Sequence, residues 1–139
     1  MSRDLCLLIV DDESDLLEAI GETCDHLGYS VLSATSAEEA LSLLHDKPVD
    51  VVLTDLRMRP MNGFDLLEKA RERYPNVPFV LWTGFWEKDQ EDRAKNFARV
   101  ETMTKPFSLR QVQEVLDKLQ LMKAPAPHIP LKGEAARLA

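Results

Sequence analysis

The chain has 139 residues, 45% of them hydrophobic and 29% charged, with a formal net charge of −7. That is the size and composition of a single globular domain with one core, and the excess of acid argues against direct contact with nucleic-acid phosphates or an anionic membrane surface. The first apolar run, "LCLLIV", is six residues long, far short of the roughly 18 a bilayer span needs, so the expectation is a cytoplasmic protein.

Short apolar runs alternate with longer segments whose apolar residues fall at helical spacing. Strands are expected at Leu5 to Val10, Ser30 to Ala34, Val49 to Thr54, Phe79 to Thr83 and Thr102 to Thr104. After the first strand, "DLLEAIGETCDHL" sets Leu16, Leu17, Ile20, Cys24 and Leu27 on one helical face, and after the second "AEEALSLLH" does the same with Ala37, Ala40, Leu41 and Leu44. The third helix is "GFDLLEKARERY", stopped before Pro75. The fourth is the charged "EKDQEDRAKNF", and the fifth is "LRQVQEVLDKLQLM". Ser36 with Glu39, and Ser108 with Gln111, match the capping box, so helices should begin just after each serine. The first, third and fourth strands are continuously apolar, as parallel strands covered on both faces are, and regular alternation calls for right-handed crossovers. The expected fold is α/β: a doubly wound, five-stranded parallel sheet with five helices. It should occupy residues 1–122, with the proline-containing 123–139, "KAPAPHIPLKGEAARLA", as a tail or linker.

Cys6 and Cys24 have neither metal-ligand nor redox spacing and read as buried thiols. His26, His45 and His128 are isolated from one another, and Trp82 and Trp86 read as core packing and a surface aromatic.

In open parallel sheets the functional crevice lies at the carboxyl ends of the strands. Here those ends carry Asp11, Asp12 and Glu13, then Thr54 and Asp55, then Thr83 and Gly84, then Thr104, Lys105 and Pro106. Any one of these has an ordinary explanation, since an Asp after a strand often caps a helix and a loop Lys is usually solvated. Together they are different. Carboxylates converging from separate strands must be protonated or neutralised by a cation, and a divalent ion such as Mg2+, held by one or two carboxylates and phosphate oxygens, is the economical choice. With it in place one carboxylate can attack a phosphoryl group, while Thr83 and Lys105 supply a hydroxyl and an ammonium.

The motifs "IVDDE", "LTDLRM", "PMNGFDLL", "WTG" and "TKPF", in this order and spacing between residue 4 and about 121, resemble the receiver domain of two-component response regulators, and in particular the chemotaxis-type single-domain form. The resemblance implies a flavodoxin-like strand order 2-1-3-4-5 and a Mg2+-dependent phosphoacceptor, Asp55, charged by a sensor histidine kinase or a histidine phosphotransfer protein. It implies Asp12 as a direct metal ligand, Asp11 as a ligand through water, and Arg57 as the donor of a backbone carbonyl. Thr83 and Lys105 would each hold a phosphoryl oxygen, the Lys105–Pro106 bond would be cis, and a phosphorylation-dependent dimer fits the pattern. It also places Arg57 and Phe85 beside the path by which water would reach the phosphorus.

Two departures stand out. Arg59 separates Met58 from Pro60 where the family sets Met beside Pro, and Thr102 stands where the family usually carries the aromatic residue that reports phosphorylation. They favour an alternative, a receiver-like interaction module that no longer uses phosphorylation. A third possibility is a magnesium phosphatase with an aspartyl-phosphate intermediate. It is opposed by Arg57 at the position where such enzymes carry a second acid, and by the lack of a cap insertion. The expectation is therefore a signalling module that acts only on itself, and no enzyme with a separate substrate.

Overall fold

The computed structural model describes residues 5–123. Along them run β1 (Cys6–Val10), α1 (Ser14–His26), β2 (Ser30–Ala34), α2 (Ala37–Asp46), β3 (Val51–Asp55), α3 (Gly63–Arg73), β4 (Phe79–Thr83), α4 (Lys88–Lys95), β5 (Val100–Thr104) and α5 (Leu109–Lys123). The strands form one parallel sheet in the order β2-β1-β3-β4-β5. The chain divides after Phe107 into two units, the second beginning at Ser108. The expected tail at 123–139 lies, apart from Lys123, outside the described residues.

Registry and side-chain alternation decide which helix covers which face. Leu8, Val10, Val52, Phe79 and Leu81 belong to a core cluster with Ala37, Ala40 and Leu44 of α2, Phe64, Leu66, Leu67 and Ala70 of α3, and Ala94 of α4. The alternate residue Leu7 points the other way and pairs with Val31, whose side chain lies 3.7 Å from where a Cβ would stand on Gly21 of α1. Helix α1 therefore covers the opposite face, and the sheet is doubly wound. Strands β3 and β4 are buried at every position, as their unbroken apolar sequence requires.

The first capping box forms only in part. Ser36 Oγ accepts from the Glu39 amide at 3.1 Å, but the Glu39 carboxylate reaches one residue further back, accepting from the amide of Thr35 at 2.9 Å and from its hydroxyl at 3.2 Å. The Ser108–Gln111 box is complete, with bonds of 2.7 and 3.2 Å. An unforeseen box opens α3, where Asn62 and Asp65 satisfy each other's amides at 2.9 and 3.0 Å. In α5, Val112, Leu116 and Leu119 are buried. Strand β3 runs one residue further than its apolar pattern, to Asp55, and β5 begins at Val100 because ladder pairing with Phe79 extends past the polar Glu101.

Candidate functional site

Three strand ends build the site. Asp11 follows β1 and is fully buried, Asp55 ends β3 with 6% of its surface exposed, and Thr83 ends β4 nearly buried. Asp12 is exposed beside them. One carboxylate oxygen from each of Asp11, Asp12 and Asp55 can be chosen so that all lie within 4.8 Å of one another. Lys105 lies one residue beyond β5, and its Nζ donates to Asp11 Oδ2 and to Asp55 Oδ2, both at 3.4 Å. The Lys105–Pro106 bond is cis, as is Arg59–Pro60.

Three carboxylates against one ammonium leave two negative charges uncompensated. Burial, and after it the charge of Asp11, raises the Asp55 pKa above the ordinary carboxylate value, while Lys105 and the Arg57 amide pull it down. A hard divalent cation answers this donor set of closely spaced oxygens, so the residues present fit magnesium.

The loop after Asp55 is fixed by close approach of α3. The Gly63 amide donates to the Leu56 carbonyl at 2.9 Å, and a Cβ on Gly63 would lie 2.7 Å from the Asp55 carbonyl oxygen and 3.0 Å from Leu56 Cα. Only glycine admits this contact. Met58 is buried, its sulfur 4.0 Å from Thr54 Oγ1, so the loop keeps Met58 in the core although Arg59 separates it from the proline.

The side chain of Arg57 does more than its expected backbone role suggests. Its amide donates to Asp55 Oδ1 at 3.2 Å, its Nε donates to Thr83 Oγ1 at 3.2 Å, and its terminal nitrogen reaches the Phe85 carbonyl at 3.4 Å. Nothing in the sequence but its position two residues after Asp55 pointed to this contact. The Phe85 side chain, which the resemblance sets beside the path of water, is 66% exposed. A cleft of about 730 Å³ opens beside Asp12 between this loop and α4, with Arg57, Arg59 and Arg93 among its walls.

The two tryptophans are also more than packing. Trp82 is fully buried and its indole N–H donates to Asp11 Oδ2 at 3.3 Å. Trp86 is half-buried and donates to the Met103 carbonyl at 2.9 Å, next to the exposed Thr102.

Comparison with known proteins shows the family of the chain. Residues 7–117 match the family model described as the response regulator receiver domain. The chain is 33% identical over 132 residues to the response regulator protein PilR of Pseudomonas aeruginosa, a match covering 94% of this chain and 29% of that protein. It is 31% identical over 106 residues to the response regulator SaeR of Staphylococcus aureus, covering 76% of this chain and 46% of that one. It thus spans less than half the length of these curated relatives. Among solved structures, the non-phosphorylated HemR receiver domain from Leptospira biflexa is similar with a TM-score of 0.79 and 28% identity, over 91% of this chain and all of that one (100%).

Proposed function

The chain belongs to the response regulator receiver family of two-component signalling, and we propose that it is switched by magnesium-dependent phosphorylation of Asp55. The observation that carries this is the placing of the Asp55 carboxylate at the end of β3, 3.4 Å from the Lys105 ammonium and grouped with Asp11 and Asp12.

A carboxylate oxygen of Asp55 attacks phosphorus as the bond to the donor breaks. The electron pair departs on the imidazole nitrogen of a kinase or phosphotransfer protein, or on the oxygen of a small acyl phosphate. Asp11, Asp12, Asp55 and the Arg57 backbone carbonyl would hold Mg2+, which when bound supplies positive charge to the phosphoryl oxygens. Lys105 turns from its two carboxylates to one phosphoryl oxygen, and the Thr83 hydroxyl donates to another. Because Thr83 Oγ1 already accepts from Arg57, its own proton is free to be given, and the bond it accepts polarises the one it donates. The protein acts only on itself, loading and hydrolysing its own phosphoryl group. Residues 1–122 are the receiver, 123–139 a linker or tail, and the setting is the cytoplasm, with a downstream partner or a second copy reading the switched state.

Incubation with acetyl phosphate and Mg2+ should add one phosphoryl group by mass spectrometry. Uptake that persists in Asp55→Asn, or after chelation of the metal, would remove the assignment. A receiver-like module that ignores phosphorylation is the second reading, favoured by the exposed Thr102 in place of a switch aromatic. It requires partner binding that is equal in the native protein and in Asp55→Asn.

A further inference from the structure

We propose that Trp82 is a positioning residue for the cation site, its indole N–H fixing the buried Asp11 carboxylate in the orientation that presents it to Asp12 and Asp55. The inference rests on the reading of this acidic group as a magnesium site.

A carboxylate turns about its Cβ–Cγ bond unless both oxygens are held. At Asp11 both are: Oδ1 accepts from the Glu13 amide at 2.9 Å and Oδ2 from Trp82 Nε1 at 3.3 Å and Lys105 Nζ at 3.4 Å. The indole is donor-only, so it suits an ionised acceptor.

Trp82 is itself immobilised. It pairs with Asp55 in the β3–β4 ladder, accepts from the Leu56 amide at 2.7 Å, and packs its fully buried ring against Phe107 with centroids 5.1 Å apart. The N–H has no route to solvent, and it ties the residue opposite the phosphoacceptor to the acid beside it.

Lys105 cannot serve the same purpose. Its ammonium sits on a flexible stem, its side chain is 23% exposed, and it is shared with Asp55. In the transfer proposed above it leaves Asp11 for the phosphoryl group. Trp82 is then the remaining donor on Oδ2 and keeps the carboxylate aligned while charge around it changes. Partners of this kind, one shell behind a ligand, set the ligand's orientation and the affinity of the metal.

The test uses the full chain. Trp82→Phe retains an aromatic ring beside Phe107 and removes the N–H, and calorimetric titration with MgCl2 should show affinity lowered about tenfold, the lower end of what loss of such a partner costs. A folded variant that binds magnesium as tightly as the native chain overturns the proposal, since a tryptophan that only fills space has no reason to affect the ion. Should the variant not fold, the native protein decides. With 15N-labelled indoles, the Trp82 N–H resonance should shift during the magnesium titration with the calorimetric midpoint, while that of Trp86, bonded to the Met103 carbonyl, serves as the internal reference. A Trp82 resonance that stays still while heat reports binding overturns the inference alone. Absence of magnesium binding in the native chain overturns both it and the function on which it rests.

Discussion

Lys105 Nζ stands 3.4 Å from Asp11 Oδ2 and 3.4 Å from Asp55 Oδ2, so one ammonium offsets two carboxylates that the fold has largely removed from water. Removing one partner of a buried charge group leaves the others uncompensated. Lys105→Ala should therefore destabilise the metal-free protein, by about 1–3 kcal/mol because Lys105 is itself partly solvated. Added magnesium should recover much of the loss in urea unfolding. A variant as stable as the native chain in chelator would show that this ammonium does not hold the two acids together.

The raised pKa of Asp55 makes a signed prediction. Its folded-state value lies above that of the unfolded chain, so between the two the native state binds more protons and stability falls as pH rises. Asp55's contribution is fully present below the unfolded carboxylate value, about 3.9, and lost as pH climbs through the folded one. In chelator at pH 7, Asp55→Asn should melt higher than the native chain, by about 3–5 °C for ~1 kcal/mol in a domain of this size. The advantage should shrink near pH 4 and narrow again with saturating magnesium. An Asn variant that melts lower than the native chain at pH 7 contradicts the electrostatic account.

Gly63→Ala tests the close approach behind Asp55. Its Cβ would meet backbone atoms of Asp55 and Leu56 at 2.7 and 3.0 Å, and backbone cannot turn aside as a side chain can. The expected cost is about 1–3 kcal/mol, read in urea unfolding, with a slower uptake of phosphoryl groups as Asp55 shifts. Native stability together with native uptake would mean that α3 slides without strain.

Arg57 should govern the lifetime of the phosphorylated state. Its guanidinium lies across Thr83 and the Phe85 carbonyl, and it offers no acceptor to orient an attacking water. Arg57→Asn should speed loss of the phosphoryl group about tenfold, equivalent to about 1.4 kcal/mol of barrier. Phe85→Ala should change little, since the ring is mostly in solvent. The measurement is decay after donor removal in the two single variants and the native chain. A large effect of Phe85→Ala with none from Arg57→Asn would reverse these assignments.

Beside Thr102, Trp86 bridges from the loop before α4 to the Met103 carbonyl of β5. With no aromatic ring at 102 to swing inward, residues 85 to 105 should rearrange only modestly on activation, because coupling requires two states with different contacts. Amide exchange with and without beryllofluoride tests this. Strong deprotection or new protection throughout that segment would show a switch built from other residues.

Much of this protein was legible in its sequence because its elements are locally consistent. Apolar runs of strand length, helical periodicity and the Ser108–Gln111 box each act over a few residues, and their alternation sufficed to expect a doubly wound sheet. The convergence of Asp11, Asp12, Asp55, Thr83 and Lys105 followed from one topological rule, that parallel strand ends share a rim. Tertiary structure decided what depends on side-chain direction across long sequence separations. Trp82 bonds an acid 71 positions away, Arg57 turns its guanidinium onto Thr83, and Phe85 is left 66% exposed. The Glu39 carboxylate chose Thr35 over Ser36 for the same kind of reason, since a flexible acid near a helix start has several amides in reach. Pattern fixes which face a residue occupies, but the rotamer and the donor that meets it are set only when the sheet brings distant chain segments within hydrogen-bond distance.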